Sequence, residues 1–355
     1  MKENYSRRQF VQTSLLTGAG LTFLNSVTAL ADVSGNRNAN KSVDPGKRVG
    51  LIGLDTSHVT AVTNALNNPK EGVSWDGYKV VAAFPTKGSA DMESSIGRLA
   101  GFTEKVKNQG VEIVDSIAAL LEKVDVVLLE SVDGRRHLAE ALPVLKSGKR
   151  MFIDKPIAAS LADAMVIFDA AKKYNNPTFS ASSLRYIDGA REVAEGKIGK
   201  VLGADAYGDC YIEPHHPDLF FYGIHGVEIL YAVMGTGCKS VVRVHLDKTD
   251  MVVGTWKDDR IGSYRGTRSG TGEMGATVFG EKGIELLTKS QGYGALWVKV
   301  IDFFNTGVVP VSAEESLEEL AFMEAADESK RKGGVSVDLE TIVQRAEKIA
   351  KKITY

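Results

Sequence analysis

The chain has 355 residues, 43% of them hydrophobic and 25% charged, with a formal net charge of −2. That length allows two domains with cores of their own, and the near-neutral balance offers no footprint for nucleic acid or a polybasic membrane contact. No apolar run reaches the ~18 residues of a membrane span.

The N-terminus opens with Ser6-Arg7-Arg8-Gln9-Phe10, then a weakly apolar segment that ends at Ala29-Leu30-Ala31. Adjacent arginines ahead of such a segment, with small residues at its end, resemble a twin-arginine export signal. Residues 1–31 are therefore expected to be a signal peptide and the protein to be periplasmic or otherwise exported. The polar, turn-rich residues 32–46 read as a flexible leader.

From Lys47 onward, short apolar runs alternate with helix-period segments. The runs are Val49–Leu54, Val80–Phe84, Val111–Val114, Val124–Leu129, Met151–Ile153 and a last one near Phe179. Between them, Leu138, Ala141, Leu142 and Leu145 share one helical face, as do Leu161, Met165 and Phe168, and Ser160 with Asp163 resembles a capping box. This predicts a Rossmann-type parallel sheet, covered on both faces, over 47–180. Beyond Ser180 strand-like runs follow one another with Gly-rich turns: Val201–Tyr207, Ser240–Leu246, Met251–Lys257, Ile261–Arg265 and Thr277–Gly280. One helix near Gly226–Met234 and two closing helices, Glu314–Lys332 and Leu339–Ile353, complete the pattern. The fold class is α/β, with residues 181–355 expected to form an α+β domain around an open, mostly antiparallel sheet. One uncovered sheet face would suit a homo-oligomer. Cys210 and Cys238 make no disulfide scaffold and match no zinc spacing; one bridge or two buried thiols are both open.

Two stretches carry chemistry. Asp154-Lys155-Pro156 follows a buried strand directly, and the carboxyl end of a strand is where α/β sheets place ligand groups. The stretch VGLIGLDTSHV (49–59) begins like the first strand and turn of a dinucleotide-binding domain, but Asp55 and His58 stand where the second and third glycines of G-x-G-x-x-G are expected. Gly53 keeps the tight turn. Asp55 brings a side chain and a negative charge toward the place of a pyrophosphate, or else serves as helix N-cap. Thr56, Ser57 and His58 begin the next helix, where backbone N–H groups and a protonated His58 can cradle an anion. Pro85 stands in place of the usual ribose-binding acid, and Thr86-Lys87 after it could hold a 2′-phosphate.

Together these features resemble the glucose–fructose oxidoreductase/inositol dehydrogenase (Gfo/Idh/MocA) family over roughly residues 47–345. The resemblance rests on the Gly-containing first turn, the strand followed by Asp-Lys-Pro, Val132-Asp-Gly-Arg-Arg-His137, and FFYGIHGVEILYAVMG (220–235). It implies NAD- or NADP-dependent hydride transfer at a sugar, polyol or glycoside carbon, either as a net redox reaction or within a redox-neutral cycle. It also implies Lys155 and His225 as the catalytic pair. Gly53, Asp55, Thr56, Ser57, His58, His137 and Lys155 fall at cofactor-binding positions. Export in the folded state suits a protein that acquires its cofactor before transport. Phe221 replaces the acidic residue the family places four positions before the histidine, leaving Tyr222, Tyr211 or Glu213 as substitutes. Arg185, Tyr186 and Tyr222 are candidates to touch substrate, and Arg185-Tyr186 could instead bridge the domains. His225 and Glu228, with His215-His216 nearby, allow a metal reading, but their spacing argues against it and no metal is expected. The competing reading is a carbohydrate-binding descendant that has lost its cofactor.

Overall fold

The computed structural model describes residues 44–355. The expected export signal and the leader up to residue 43 lie outside the described residues.

The first sheet contains β1 (Arg48–Ile52), β2 (Lys79–Phe84), β3 (Glu112–Ile113), β4 (Val126–Leu129), β5 (Met151–Ile153) and β6 (Thr178–Ser180). Its strands run parallel in the order β3-β2-β1-β4-β5-β6. The helices α1 (His58–Asn67), α2 (Glu93–Asn108), α3 (Ile117–Lys123), α4 (His137–Ser147) and α5 (Leu161–Lys173) connect them. Every residue of β4, β5 and β6 is buried, which is why these strands read as continuous apolar runs with no alternation. At the start of α5 the Ser160 Oγ accepts the Asp163 N–H at 3.0 Å, so the expected cap is present. Strand order reverses between β1 and β4. A crevice therefore opens at their carboxyl ends, the usual place for a ligand in an open α/β sheet.

The second sheet contains β7 (Val201–Asp209), β8 (Cys238–Leu246), β9 (Thr249–Trp256), β10 (Ile261–Thr267), β11 (Gly275–Gly280), β12 (Gly283–Leu287) and β13 (Val337–Asp338). Its order is β12-β11-β7-β10-β9-β8-β13; β7 and β10 pair parallel and the remaining pairs are antiparallel. Five further helices carry the rest of the functional chain: α6 (Ala190–Ala194), α7 (Asp218–Phe221), α8 (Ile224–Met234), α9 (Gly294–Thr306) and α10 (Ala313–Arg331), followed by α11 (Leu339–Ala350). One face of the sheet is packed by α8 and α10, with Tyr231, Trp256 and Phe322 meeting at ring separations of 5.8–6.4 Å. Leu202, Ile261, Ile284 and Leu286 remain exposed.

One helix escapes the sequence pattern. In α9, Leu296, Trp297, Val300, Phe303 and Phe304 are buried in one cluster with Leu51, Leu128, Phe152 and Phe179 of the first sheet. The chain thus returns from the second sheet to cover the first, and Tyr293, at the start of α9, arrives beside the β1 turn. Its ring centroid lies 5.1 Å from that of His58. Cys210 and Cys238 are buried free thiols. No helix among the described residues is long and apolar enough to cross a membrane.

Candidate active site

Three turns meet in the crevice, each at the carboxyl end of a strand. The β1 turn makes the closest approach. Gly53 has φ +83°, and a Cβ there would stand 2.5 Å from the Ser131 nitrogen in the β4 turn, so a side chain is excluded at this position.

Asp55 does not cap α1. The N-cap position is Ser57, whose side chain makes no capping bond. Asp55 is instead fully buried and accepts two bonds, from the Val132 N–H at 2.9 Å and from the Ser95 hydroxyl at 2.5 Å. Its carboxylate ties the turns after β1 and β4 to α2, and its lone pairs and charge are directed at these donors. His58 also departs from expectation. Its Nδ1 lies 2.7 Å from Asp154 Oδ2, so it pairs with the β5 turn in place of waiting for an anion. Burial works to raise the Asp154 carboxyl, but the His58 charge and hydrogen bond, with help from Lys155, outweigh it and hold the group down to about 2.

His137 is corrected from cofactor contact to scaffold. It is fully buried, with Nδ1 2.9 Å from Pro156 O and Nε2 2.6 Å from Ser131 O. Both nitrogens are engaged by carbonyls, and the ring spans the β4 and β5 turns. Beyond Pro85, Thr86 Oγ1 accepts the Gly88 N–H, Arg136 bonds Gly88 O, and the Ser89 hydroxyl bonds Asp133. The segment after β2 is therefore fastened to the β4 turn, with Lys87 exposed.

Glu130, immediately after β4, was not singled out by the sequence. It is fully buried and neither carboxylate oxygen has a hydrogen-bond partner. Burial, reinforced by the Asp154 charge, pushes its carboxyl well above the usual range; Lys155 pulls the other way. Its only sequence signal is an acid within an apolar strand end.

Across the crevice, Lys155 Nζ lies 5.9 Å from the Tyr222 ring centroid, and the Tyr222 ring meets the His225 ring edge-on at 4.9 Å. His225, in the first turn of α8, places Nδ1 2.6 Å from the Ser182 hydroxyl. Ser182 follows β6 and its own N–H donates to Glu228 Oε1 at 2.7 Å. The hydrogen-bond partner of His225 is thus a serine just past β6. Tyr211 meets Tyr222 edge-on, while Glu213 accepts from Ser94, so neither reaches His225 as a hydrogen-bond partner. Burial, then the charges of Lys155 and His58, push the His225 imidazole well below its ordinary range. A neutral imidazole can accept a proton.

Arg185 does not face the crevice. It pairs with Glu319 at 2.8 Å, with Glu315, and more loosely with Glu228, bridging α8 and α10. Glu228 is thereby committed to Ser182 and Arg185, which removes it from a metal site with His225. Tyr186 keeps a buried hydroxyl without a hydrogen-bond partner. A separate open cleft of about 550 Å³, lined by Leu184, Tyr207, Met274 and Lys289 among others, includes neither Lys155 nor His225.

The fold and these groups define a class of architecture: a Rossmann-type parallel sheet followed by a mostly antiparallel one, with a crevice at the switch point of the first. Residues 47–182 match the Gfo/Idh/MocA model, described as an oxidoreductase family with an NAD-binding Rossmann fold. The whole architecture is similar to solved structures. A probable dehydrogenase from Thermotoga maritima is 21% identical with a TM-score of 0.67, covering 83% of this chain and 99% of that one. The myo-inositol 2-dehydrogenase of Lactobacillus plantarum is 18% identical (TM-score 0.65; 82% and 98% covered). The scyllo-inositol dehydrogenase of Lactobacillus casei, solved with NAD(H) and scyllo-inositol, is 15% identical (TM-score 0.64; 82% and 99% covered). At these identities the likeness is one of fold. No curated protein matches the sequence.

Proposed function

We propose that the chain is an exported NAD(P)-dependent oxidoreductase acting at a hydroxyl-bearing carbon of a sugar, polyol or glycoside, with Lys155 and His225 as its acid/base pair. The observation that carries this reading is the run Lys155–Tyr222–His225–Ser182 beside the carboxyl ends of β1, β4 and β5. Similar folds solved as inositol dehydrogenases support a polyol class.

The cofactor fits the crevice through the retained Gly53 turn and the start of α1, where Thr56, Ser57 and His58 would present N–H groups to its diphosphate. Asp55 does not oppose that fit, because Val132 and Ser95 hold its carboxylate. A bound nicotinamide supplies the hydride acceptor. The protein's part is to bind the substrate hydroxyl between Lys155 and His225. Lys155 donates a hydrogen bond to the oxygen, and neutral His225, oriented by Ser182, takes the proton. Tyr222 forms the wall between them.

The buried acid at the second glycine position also gives weight to a carbohydrate-binding protein without cofactor. Titration of the purified protein with NAD⁺ and NADP⁺, followed by a polyol and sugar panel read at ~340 nm, separates the two. Dinucleotide binding with substrate-dependent reduction that disappears in Lys155→Ala supports the oxidoreductase. Sugar binding with no dinucleotide binding replaces it with the binder.

A further inference from the structure

We infer that His58, Glu130 and Asp154 form a site for one divalent transition-metal ion at the switch point of the first sheet. This goes beyond the redox reading and does not depend on it. The three residues stand on the turns after β1, β4 and β5, which are neighbours in the sheet. One ligand atom from each lies within 4.8 Å of the other two. Ligands held about 2.1 Å from a common ion are roughly 3–4 Å apart, so a small closing movement of side chains completes the set.

The second observation is independent of that clustering. Glu130 is fully buried, both its oxygens lack any partner, and it points into the group. A carboxylate in that condition is costly unless something cationic meets it. Lys155 and the His58 ring are the cationic groups nearby, yet neither makes a hydrogen bond to Glu130, and a dication held by His58, Glu130 and Asp154 together would supply the missing partner. The His58–Asp154 contact at 2.7 Å occupies the gap that the ion would take over.

The donor set selects the ion. One imidazole nitrogen and two carboxylates, with no thiolate, suit Mn²⁺, Fe²⁺, Co²⁺ or Zn²⁺ better than Cu⁺, and the nitrogen disfavours Ca²⁺. The surroundings hold the ligands still. The Glu130 N–H bonds Ile52 O at 2.7 Å, the Asp154 N–H bonds Leu129 O at 2.8 Å, and Tyr293 packs edge-on against the His58 ring. Three protein ligands leave positions open to water or a substrate oxygen, on the side of Lys155 and His225.

The test uses the full chain, stripped with chelator and titrated with Mn²⁺ under electron paramagnetic resonance, with Zn²⁺ uptake measured by elemental analysis after gel filtration. The expected result is one tightly held ion per chain, with affinity reduced at least ~10-fold in Glu130→Gln and in His58→Asn while the circular dichroism spectrum is unchanged. Uptake equal in the wild type and in folded Glu130→Gln, or no uptake by folded wild type, overturns the site. Should the variants not fold, Co²⁺ added to the wild type decides: ligand-field bands of a bound nitrogen–oxygen site support the proposal, and the spectrum of aqueous Co²⁺ refutes it. Dinucleotide binding is titrated separately on metal-free protein. Metal uptake without dinucleotide binding removes the oxidoreductase reading alone, and dinucleotide binding without metal uptake removes this site alone.

Discussion

Ser182 and His225, 43 residues apart in sequence, meet at 2.6 Å between Oγ and Nδ1. Ser182 stands just past the last strand of the parallel sheet, and His225 in the first turn of the helix that packs the antiparallel one. The bond therefore does two things: it orients the His225 ring, and it ties the segment after β6 to the start of α8. Ser182→Ala is expected to lower kcat about 10-fold with little change in KM. It also removes the oxygen that accepts the Leu184 N–H, so a loss of about 1 kcal/mol in urea unfolding should accompany it. Unchanged kcat would make the bond purely structural.

Lys155→Ala should reduce turnover by about 10²–10⁴-fold. Lys155 is partly exposed at a strand end, and its charge acts on the carboxyls of Glu130 and Asp154. Thermal unfolding should accordingly shift by only a few °C from the wild type. A large fall in Tm would move the residue from the reaction to the scaffold.

Acidification should expose the state of His225. Burial and its charged neighbours lower its pKa, so the neutral, proton-accepting form persists below the ordinary imidazole value of 6.5. In kcat/KM against pH the acid limb should therefore fall well below that value. In Lys155→Met, which removes one of the charges responsible, the limb should move upward if residual turnover can be measured. A limb at the ordinary value would show that His225 is not the base.

His216 gives a stability test with a defined sign. It is buried, its Nε2 has no partner, and burial lowers its pKa from 6.5 to about 4. Its folded pKa is below the unfolded one, so the unfolded chain binds the extra proton between these values. The stability linked to it is complete above the unfolded pKa and is lost as pH falls toward the folded one, by about 2 kcal/mol near pH 5. Urea unfolding of His216→Gln should show a correspondingly flatter pH dependence than the wild type.

Asp55→Gly restores the second glycine of the dinucleotide motif, yet it should weaken the protein. It leaves the part-buried Val132 N–H and the buried Ser95 hydroxyl without their acceptor, the buried group alone costing about 1–3 kcal/mol. Dinucleotide affinity is not expected to improve, because the carboxylate is already engaged away from the ligand. Export is tested apart from the fold: precursor carrying Arg7→Lys and Arg8→Lys together should accumulate in the cytoplasm, and its normal appearance outside would end the twin-arginine proposal.

Local pattern determined the parallel sheet, because its strands are short, largely apolar and separated by amphipathic helices; Met151–Ile153 begins and ends as read. Gly53 and the Ser160 cap were legible for the same reason: each serves backbone geometry within a few residues of itself. The second sheet was legible in five of its seven strands, β12 and β13 being missed, but not in its order, which depends on the parallel pairing of β7 with β10. Helix α9 carries a clear apolar face, but only tertiary packing sends that face to Phe152 and Phe179 and not to the sheet preceding it in the chain. The site itself belongs almost wholly to that second level. Asp55 finds Ser95 and Val132 at separations of 40 and 77 residues, His58 finds Asp154 at 96, and Ser182 finds His225 at 43. Periodicity reports which face of an element is buried, whereas strand order decides which turns become neighbours. That is why Glu130, an ordinary acid at the end of an apolar run, becomes the unpartnered centre of the crevice only once β1, β4 and β5 lie side by side.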